Sequence, residues 1–287
     1  MNELFDWELP VDEWATNAFD WLDETLAPLW RFIREVLGGA YDGLGDALNL
    51  LPAWLVILLL GGLALLARGW LFGLGATASL LLIELMGQWE NTMLTLSMVT
   101  VACVVAAMIA IPVGIAAARS QTVSSIVRPV LDFMQTMPAL LYVLLAVLIF
   151  SVGVVPGIVA TIIFAMPPGI RLTELGIRQV DPEVVEAGHA FGSSPGKILR
   201  QVQLPLALPT IMAGVNQVIM LALAMVVLAG MVGGPGLGQV VLASLSRLDI
   251  GLGFEAGLSV VILAIYLDRV TGALGSRSRI ARLEKAA

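Results

Sequence analysis

The sequence predicts an all-α polytopic membrane protein with about seven transmembrane helices, and two observations carry this prediction. Hydrophobic residues make up 59% of the 287 residues and charged residues only 13%, a balance outside the range of soluble domains. The apolar residues also form long uncharged stretches, and about 20 consecutive apolar residues are enough for a helix to cross a bilayer. The uncharged stretches are 51–67, 69–83, 91–118, 133–170, 201–246 and 256–267.

The stretch 133–170 is too long for a single crossing. Its middle, residues 151–157, contains glycine and proline that favour a turn, so the stretch is interpreted as two spans. This brings the count to seven, and the two spans within residues 51–90 are interpreted as accessory helices. Three prolines lack the backbone N–H that a helix needs and are expected to interrupt or end helices. They are Pro138, Pro167 and Pro168.

The distribution of Lys and Arg predicts which side of the membrane each loop faces. With a cytoplasmic C-terminus, 12 of the 15 basic residues fall in loops on that side, and only Arg31, Arg34 and Arg247 lie outside. Cytoplasmic loops carry an excess of Lys and Arg, which supports this orientation. It places residues 1–50 on the extracytoplasmic side and a basic tail, 276–287, in the cytoplasm.

Residues 1–50 are acidic, with 11 Asp or Glu, and lack the basic start and apolar core of a signal peptide. A helix over 11–27 would place Trp14 and Trp21 opposite the acidic side chains, and Pro28 suits the first turn of a second helix. These amphipathic helices are interpreted as scaffold on the outer leaflet or around the bundle, with a regulatory or docking role as the alternative. The net charge of −7, mostly from this region, argues against nucleic acid as a partner.

A polar segment, residues 181–205, lies between two apolar spans and is called the polar loop below. Asp181-Pro182 suits the start of a helix, because proline fits the first helical position and nearby carboxylates face the positive end of the helix dipole. Gly192 is expected to end this helix, and Ser194-Pro195 to begin a second one. Leu204-Pro205 and Leu208-Pro209 are expected to stop or kink the second helix before the next span.

The two predicted helices of the polar loop have different surfaces. In the first, Ala187 and Gly188 leave a stretch almost free of side chains, so that a neighbouring backbone can approach closely. Phe191 adds an apolar side chain just before Gly192. In the second, an apolar stripe opposes polar residues that stay in water. The stripe is Ile198, Leu199 and Val202, and the polar residues are Lys197, Arg200 and Gln201.

The polar loop resembles the EAA loop of ATP-binding-cassette (ABC) importer permeases, whose pattern is Glu-Ala-Ala, three residues, Gly, nine residues, Ile, one residue, Leu-Pro. The spacing fits at every step, with Gly188 replacing the second alanine and Val202 replacing isoleucine. The resemblance implies an importer-type permease core over residues 91–275 and a loop that seats in a groove of the ATPase subunit. The ATPase-coupling residues expected from it, with the apolar Phe191, are Glu186, Ala187, Gly188, Phe191, Gly192, Leu204 and Pro205.

Three further segments narrow the resemblance to the ProW-like permeases of glycine betaine and proline betaine importers. They are 128–138, 161–171 (TIIFAMPPGIR) and 203–217, and the similarity extends over about 91–279. The subfamily implies import of quaternary ammonium or methylated amine osmolytes such as glycine betaine, proline betaine, choline and trimethylamine N-oxide.

The resemblance also implies partners and a place in the cell. We expect a second copy of the permease, cytoplasmic ABC ATPase subunits that hold ATP and Mg, and a periplasmic or extracellular substrate-binding protein. The chain itself is expected to hold no cofactor and to lie in lipid as a multi-pass protein of the bacterial inner membrane.

Polar, aromatic or soft side chains on otherwise apolar spans are candidates to line the substrate conduit. Amides are costly to expose to lipid, and methionine adapts to varied surfaces. The alternative is interhelical hydrogen bonding for the amides and packing for the others. The candidates are Gln135, Thr136, Tyr142, Asn216, Gln217 and Met220.

A glycine-rich segment, 233–238, forbids a regular helix after the sixth span. Irregular backbone at membrane depth must be buried in protein or line a cavity. The segment is therefore expected to form an outward-side loop and a short helix that close an outer gate or receive the binding protein. Its key residues are Gly233, Gly234 and Gly236.

Catalytic chemistry finds little support in the sequence. The single cysteine, Cys103, lies among apolar residues, and the single histidine, His189, lies in the polar loop. No phosphate-binding loop, zinc motif or nucleophile elbow occurs, so neither a catalytic nor a metal site is predicted and ATP hydrolysis is expected on a separate subunit.

Two rival functions come from other classes. A membrane enzyme would need a cluster of catalytic side chains, and none is apparent. An autonomous secondary transporter would need ionisable residues within the membrane and usually an internal repeat. No repeat is apparent, and the nearest ionisable residues lie at span ends. They are Glu84, Glu90, Asp132, Glu255 and Asp268.

Overall fold

A computed structural model describes residues 10–276, which leaves most of the basic tail, 277–287, outside the described residues. Within this range the chain forms thirteen α-helices and no strand. In chain order they are α1 (Val11–Leu50), α2 (Ala53–Arg68), α3 (Trp70–Leu85), α4 (Trp89–Arg119), α5 (Gln121–Thr136), α6 (Ala139–Phe150), α7 (Val154–Arg178), α8 (Pro182–Ala190), α9 (Pro195–Ile198), α10 (Leu204–Ala224), α11 (Val226–Met231), α12 (Leu237–Arg247) and α13 (Ile250–Ser276), with a π-helical turn, Leu199–Gln203, between α9 and α10.

Four helical segments of the described chain are long and apolar enough to cross a membrane: α4, α7, Pro195–Met231 and α13. Two bent pairs, α1 with α2 and α5 with α6, raise the number to six at most, with bends of 107° and 98°. The all-α membrane class is therefore confirmed, but the predicted count of seven is not. The 16 residues of α3 extend only about 24 Å, less than the hydrocarbon core of about 30 Å.

The centre of the bundle consists of α4, α7 and α10, which pack through small residues. A Cβ on Gly114 would lie 2.7 Å from the Ile170 carbonyl oxygen, and one on Gly176 would lie 2.9 Å from the Thr210 Cβ. Such close backbone approach is typical of helix contacts in membranes, where dispersion contacts rather than water exclusion favour association. Glycine at these positions therefore sets the spacing of the three helices.

The same contacts give the directions of the helices. Gly157 lies near Met98 and Gly114 near Thr173, so α4 and α7 run parallel, whereas Gly176 lies near Thr210, so α10 runs antiparallel to both. The last residues of α4 and α7 and the beginning of α10 therefore meet at one end of the bundle. This end carries the polar loop and is called the loop end. The other is called the far end.

The N-terminal region differs from the prediction of two helices, because α1 is continuous and Pro28 lies inside it. Pro28 is exposed, so the backbone carbonyl that loses its partner there is not buried within the bundle. The second half of α1 packs on the bundle: Tyr41 is buried, and the Trp30 ring meets Phe150 edge to face with centroids 5.9 Å apart. The Trp21 side chain is 65% exposed.

Prolines also lie inside two other helices that they were expected to break. Pro167 and Pro168 lie within α7, and the second helix of the polar loop does not stop but continues through Pro205 and Pro209 into α10. The π-helical turn just before Pro205 widens the helix, and the Leu204 N–H bonds to the carbonyl five residues earlier. Pro138 does end a helix, at the bend between α5 and α6.

Candidate functional site

The polar loop contains two short helices, and both ends of the first and the start of the second match the prediction. Before α8, the side-chain Oδ1 of Asp181 accepts the backbone N–H of Glu183 at 2.9 Å, and Pro182 occupies the first turn. After α8, Gly192 has a φ of +76°, in the left-handed region that favours glycine. The second helix begins at Pro195, as predicted.

The outer surface of α8 is open. None of its residues is buried, and Glu186 and Ala187 are both exposed. The Phe191 side chain, just after the helix, is 88% exposed. An aromatic side chain presented by a fixed loop is a typical anchor in protein interfaces. The exposed surface of α8 is therefore suited to contact another protein.

The inner side of the polar loop is packed against its own chain. A Cβ on Gly188 would lie 3.2 Å from Ile198 Cγ1, so the small side chain at Gly188 serves the packing of α8 on α9. Ile198 and Leu199 are buried, and Leu199 joins an apolar cluster with Ile177 and Ile211. The loop is thus anchored to the ends of α7 and α10.

The predicted coupling residues therefore divide into two groups. Glu186, Ala187 and Phe191 lie on the exposed surface, whereas Gly188 and Gly192 shape the backbone. Leu204 and Pro205 are half-buried in the first turn of α10 and lie behind the loop. They fix its junction with the span.

A network of charged side chains at the loop end was not predicted from the sequence. Glu174, on α7, is 5% exposed and accepts hydrogen bonds from the Ser124 hydroxyl at 2.8 Å and the Arg128 guanidinium at 2.9 Å. The Arg178 Nε lies 3.1 Å from the same carboxylate oxygen. Burying a carboxylate is costly unless it is paired and hydrogen-bonded, and here it is both.

The network extends along the same faces of α5 and α7. Arg171 pairs with Asp132, and a second nitrogen of Arg178 donates to the Ala117 carbonyl at 2.9 Å. It therefore ties the last turn of α4, one face of α5 and the end of α7 together, directly before the polar loop. The charged network comprises Ser124, Arg128, Asp132, Arg171, Glu174 and Arg178.

One signal in the sequence could have found Glu174. Arg171 and Arg178 lie three residues before it and four after it, so all three share one face if the helix continues past Ile170. The prediction instead ended the uncharged stretch at Ile170 and counted both arginines among the basic residues of a cytoplasmic loop.

The candidate conduit residues occupy different environments. Gln135 and Thr136 are exposed at the end of α5, and Gln217 and Met220 share an exposed face of α10. Tyr142 is buried in α6; its hydroxyl donates to the Met134 carbonyl, and its ring meets Phe164 at a centroid distance of 6.0 Å.

Asn216 faces a different side of α10 from Gln217. Its Nδ2 donates to Asp268 Oδ1 at 2.6 Å, and its Oδ1 accepts the Thr271 hydroxyl at 3.0 Å. Asn216 therefore makes the interhelical hydrogen bonds of the alternative interpretation and joins α10 to α13. A conduit role for all six candidates stays a prediction.

The glycine-rich segment breaks the helix at the far end, between α11 and α12. Gly233 and Gly236 have φ values of +84° and +116°. A Cβ on Gly236 would lie 2.5 Å from Thr95 Oγ1, the atom that accepts the Leu237 N–H at 2.8 Å. A Cβ on Gly234 would lie 2.8 Å from the Ala229 carbonyl oxygen. The predicted irregular backbone and short helix are confirmed, and both pack tightly on α4.

The bundle, the anchored polar loop and the break at the far end define a helical transport protein of the membrane. The chain belongs to the family of binding-protein-dependent transport system inner membrane components, which matches residues 110–280. This confirms the resemblance to ABC importer permeases. It also favours that class over an autonomous secondary transporter.

Two relatives extend the similarity beyond the matched residues. The glycine betaine/proline betaine transport system permease protein ProW of Escherichia coli strain K12 is 45% identical over 271 residues, which cover 94% of this chain and 77% of that protein. The glycine betaine transport system permease protein OpuAB of Bacillus subtilis strain 168 is 43% identical over 265 residues, covering 92% and 93%.

A solved structure has the same fold. One chain of the inward-facing MetNI methionine ABC transporter superposes on this chain with a TM-score of 0.55 at 24% sequence identity. The superposition covers 68% of this chain and 95% of the MetNI chain. The importer-type permease architecture is thereby confirmed.

Proposed function

We propose that this chain is the permease subunit of an ATP-driven importer of glycine betaine and related methylated ammonium osmolytes. The observation that carries the proposal is the polar loop, which is anchored to α7 and α10 on one side and open on the other. A rigid loop of this kind can receive a force from a partner and pass it to the spans.

The proposed substrate class comes from the relatives, whose names specify glycine betaine and proline betaine. Choline and trimethylamine N-oxide belong to the same chemical class. Several aromatic faces around the cation usually capture a quaternary ammonium group, yet this chain has no tryptophan after Trp89. High-affinity capture is therefore assigned to a separate periplasmic or extracellular binding protein.

The polar loop is the proposed seat of a cytoplasmic ABC ATPase, which would hold ATP and Mg. Glu186, Ala187 and Phe191 would contact the ATPase, and Gly192 would fix the turn that presents them. Two permease copies would each seat one ATPase, because the chain has one such loop. The loop end would then face the cytoplasm, with α1 on the outer side of the bacterial inner membrane.

Transport requires that ATP binding favour one conformation of the spans over the other. ATPase closure would move the polar loop, and the charged network would carry that movement from α7 to α5. Exposed polar residues on α5 and α10 would line the path between the two copies. These are Gln135, Thr136 and Gln217, with Met220 beside them.

The break at the far end is the proposed outer gate, formed by Gly233, Gly234 and Gly236. Gly236→Leu should abolish uptake while the protein still inserts, because a side chain there collides with Thr95 on α4. Uptake and membrane content are measured in parallel. Gly257→Leu is the control, since a Cβ at Gly257 meets no atom within 4 Å. Normal uptake by the Gly236 variant would contradict the gate.

The proposal is tested by reconstituting the permease with its ATPase and binding protein in proteoliposomes. Uptake of labelled glycine betaine, choline and trimethylamine N-oxide is compared with and without ATP. We expect ATP-dependent uptake of at least one of them. We also expect Glu186→Ala to reduce it, while Glu183→Ala, on the same helix, serves as the matched control. Uptake that proceeds without the ATPase and collapses with a protonophore would overturn the proposal.

A further inference from the structure

A basic pocket of about 530 Å³ opens at the loop end, where two membrane-spanning segments meet. Arg119 is the last residue of α4, and Lys197 and Arg200 lie in the first turns of the continuous segment Pro195–Met231. The pocket is lined by Arg119, Ser194, Lys197, Leu199, Arg200 and Gln201. It therefore has three cations and two neutral polar side chains around a buried leucine.

The three cations of this pocket are unpaired, in contrast to their neighbours. Within residues 10–276, Arg119, Lys197 and Arg200 form no ion pair, and all three are exposed. The arginines of the charged network, at the same end of the bundle, each pair with a carboxylate. The Ser194 hydroxyl makes no capping bond to α9. The pocket thus presents unopposed positive charge and a free hydroxyl, which suit an anion.

The surfaces next to the pocket indicate which anion it holds. Met108 and Pro112 are exposed three and two turns before Arg119 on the same face of α4. Leu208 is exposed two turns after Gln201 on α10. The surface is therefore cationic at the end of the spans and apolar towards the middle of the bilayer. This arrangement fits a molecule with an anionic head and hydrocarbon chains.

We propose that this pocket binds the phosphate of an anionic phospholipid, whose acyl chains lie along the exposed apolar faces of α4 and α10. Arginine matches phosphate with parallel N–H bonds, and lysine adds a point charge. Basic pockets between spans are suited to such headgroups. The bound lipid would connect the end of α4 to the second helix of the polar loop. This inference goes beyond the proposed transport function and does not depend on the transported substrate.

The test uses the full-length permease in nanodiscs of phosphatidylcholine with increasing phosphatidylglycerol. Native mass spectrometry counts the phosphatidylglycerol retained by the wild type, by Lys197→Gln/Arg200→Gln and by Lys197→Arg/Arg200→Lys. Each surface cation contributes about a fivefold preference for anionic lipid, so the first double variant should retain phosphatidylglycerol about 30-fold more weakly. The charge-conserving variant should retain it. Arg247→Gln, at the far end, is the matched control for loss of one charge and should also retain it.

Two results would overturn the proposal. One is equal retention of phosphatidylglycerol by the wild type and by Lys197→Gln/Arg200→Gln, with both monodisperse in size-exclusion chromatography. If this double variant also lost ATPase binding in a pull-down, the cations would belong to the ATPase interface. The other result is displacement of phosphatidylglycerol by millimolar inorganic phosphate, which would make the site one for a soluble anion.

Discussion

The charged network and the polar loop follow one another in the chain at the loop end, yet their side chains have opposite surroundings. Glu174 is 5% exposed and paired with two arginines and a serine. Phe191 is 88% exposed. The network satisfies its charges inside the chain and so holds helices together. The polar loop leaves its outer surface free, which is what a docking surface requires.

The largest effect on stability is expected when the charged network is broken. Glu174→Gln should lower the free energy of unfolding by about 2–3 kcal/mol, because it removes the carboxylate that forms ion pairs with both Arg128 and Arg178. The value is below that of a fully buried pair, since both arginines are partly exposed. Thermal unfolding of the purified permease, followed by tryptophan fluorescence, measures it.

Asp132→Asn is the matched control for this variant. It neutralises a carboxylate of the same network, but Asp132 and Arg171 are 67% and 41% exposed. Exposed pairs contribute about 1 kcal/mol or less. If Glu174→Gln and Asp132→Asn had equal free energies of unfolding, the burial of Glu174 would add nothing to stability. The contrast drawn between the buried and the exposed ion pair would then be wrong.

An intermediate effect is expected at the turn of the polar loop. Gly192→Ala should lower the free energy of unfolding by about 1 kcal/mol, because the φ of +76° at this position is unfavourable for residues with a Cβ. Gly196 lies in the same loop, has no positive φ, and a Cβ added there would meet no atom within 4 Å. Gly196→Ala should therefore leave the free energy of unfolding unchanged within error. Chemical denaturation of the two variants measures the difference. Equal midpoints would contradict the assigned strain.

The smallest effect on stability is expected at Phe191. Phe191→Ala should change the free energy of unfolding by less than about 0.5 kcal/mol, yet weaken ATPase binding about tenfold. Biolayer interferometry with the purified ATPase measures the affinity. Phe254→Ala, 69% exposed on α13, is the control and should bind normally. Unchanged affinity in the Phe191 variant would remove the loop's outer surface from the interface.

Local signals in the sequence predicted several helix ends correctly. Asp181-Pro182 and Gly192 bound α8 as expected, and the breaks at 151–153 and 232–236 fall in the predicted turns. These positions depend on backbone groups within a few residues, such as a capping carboxylate or a glycine with positive φ. Neighbouring helices have little influence on them.

Prolines account for most of the differences between the predicted and the observed helices. Pro28, Pro167, Pro168, Pro205 and Pro209 lie within continuous helical segments, although proline usually interrupts them. The exposed position of Pro28 and the π-helical turn before Pro205 lessen the cost of the lost hydrogen bond. Neither condition is visible in the sequence alone.

The sequence by itself determined the membrane class, the position of the polar loop, both ends of its first helix and the start of its second. Composition does not depend on how the helices pack, and capping involves backbone groups within a few residues. The tertiary structure decided which polar side chains are paired. It placed Asn216 against Asp268, buried Glu174 between two arginines and left Phe191 exposed. The physical reason is that hydrogen bonds and ion pairs depend on distances of about 3 Å between helices. Only the packing of α4, α5, α7, α10 and α13 fixes those distances.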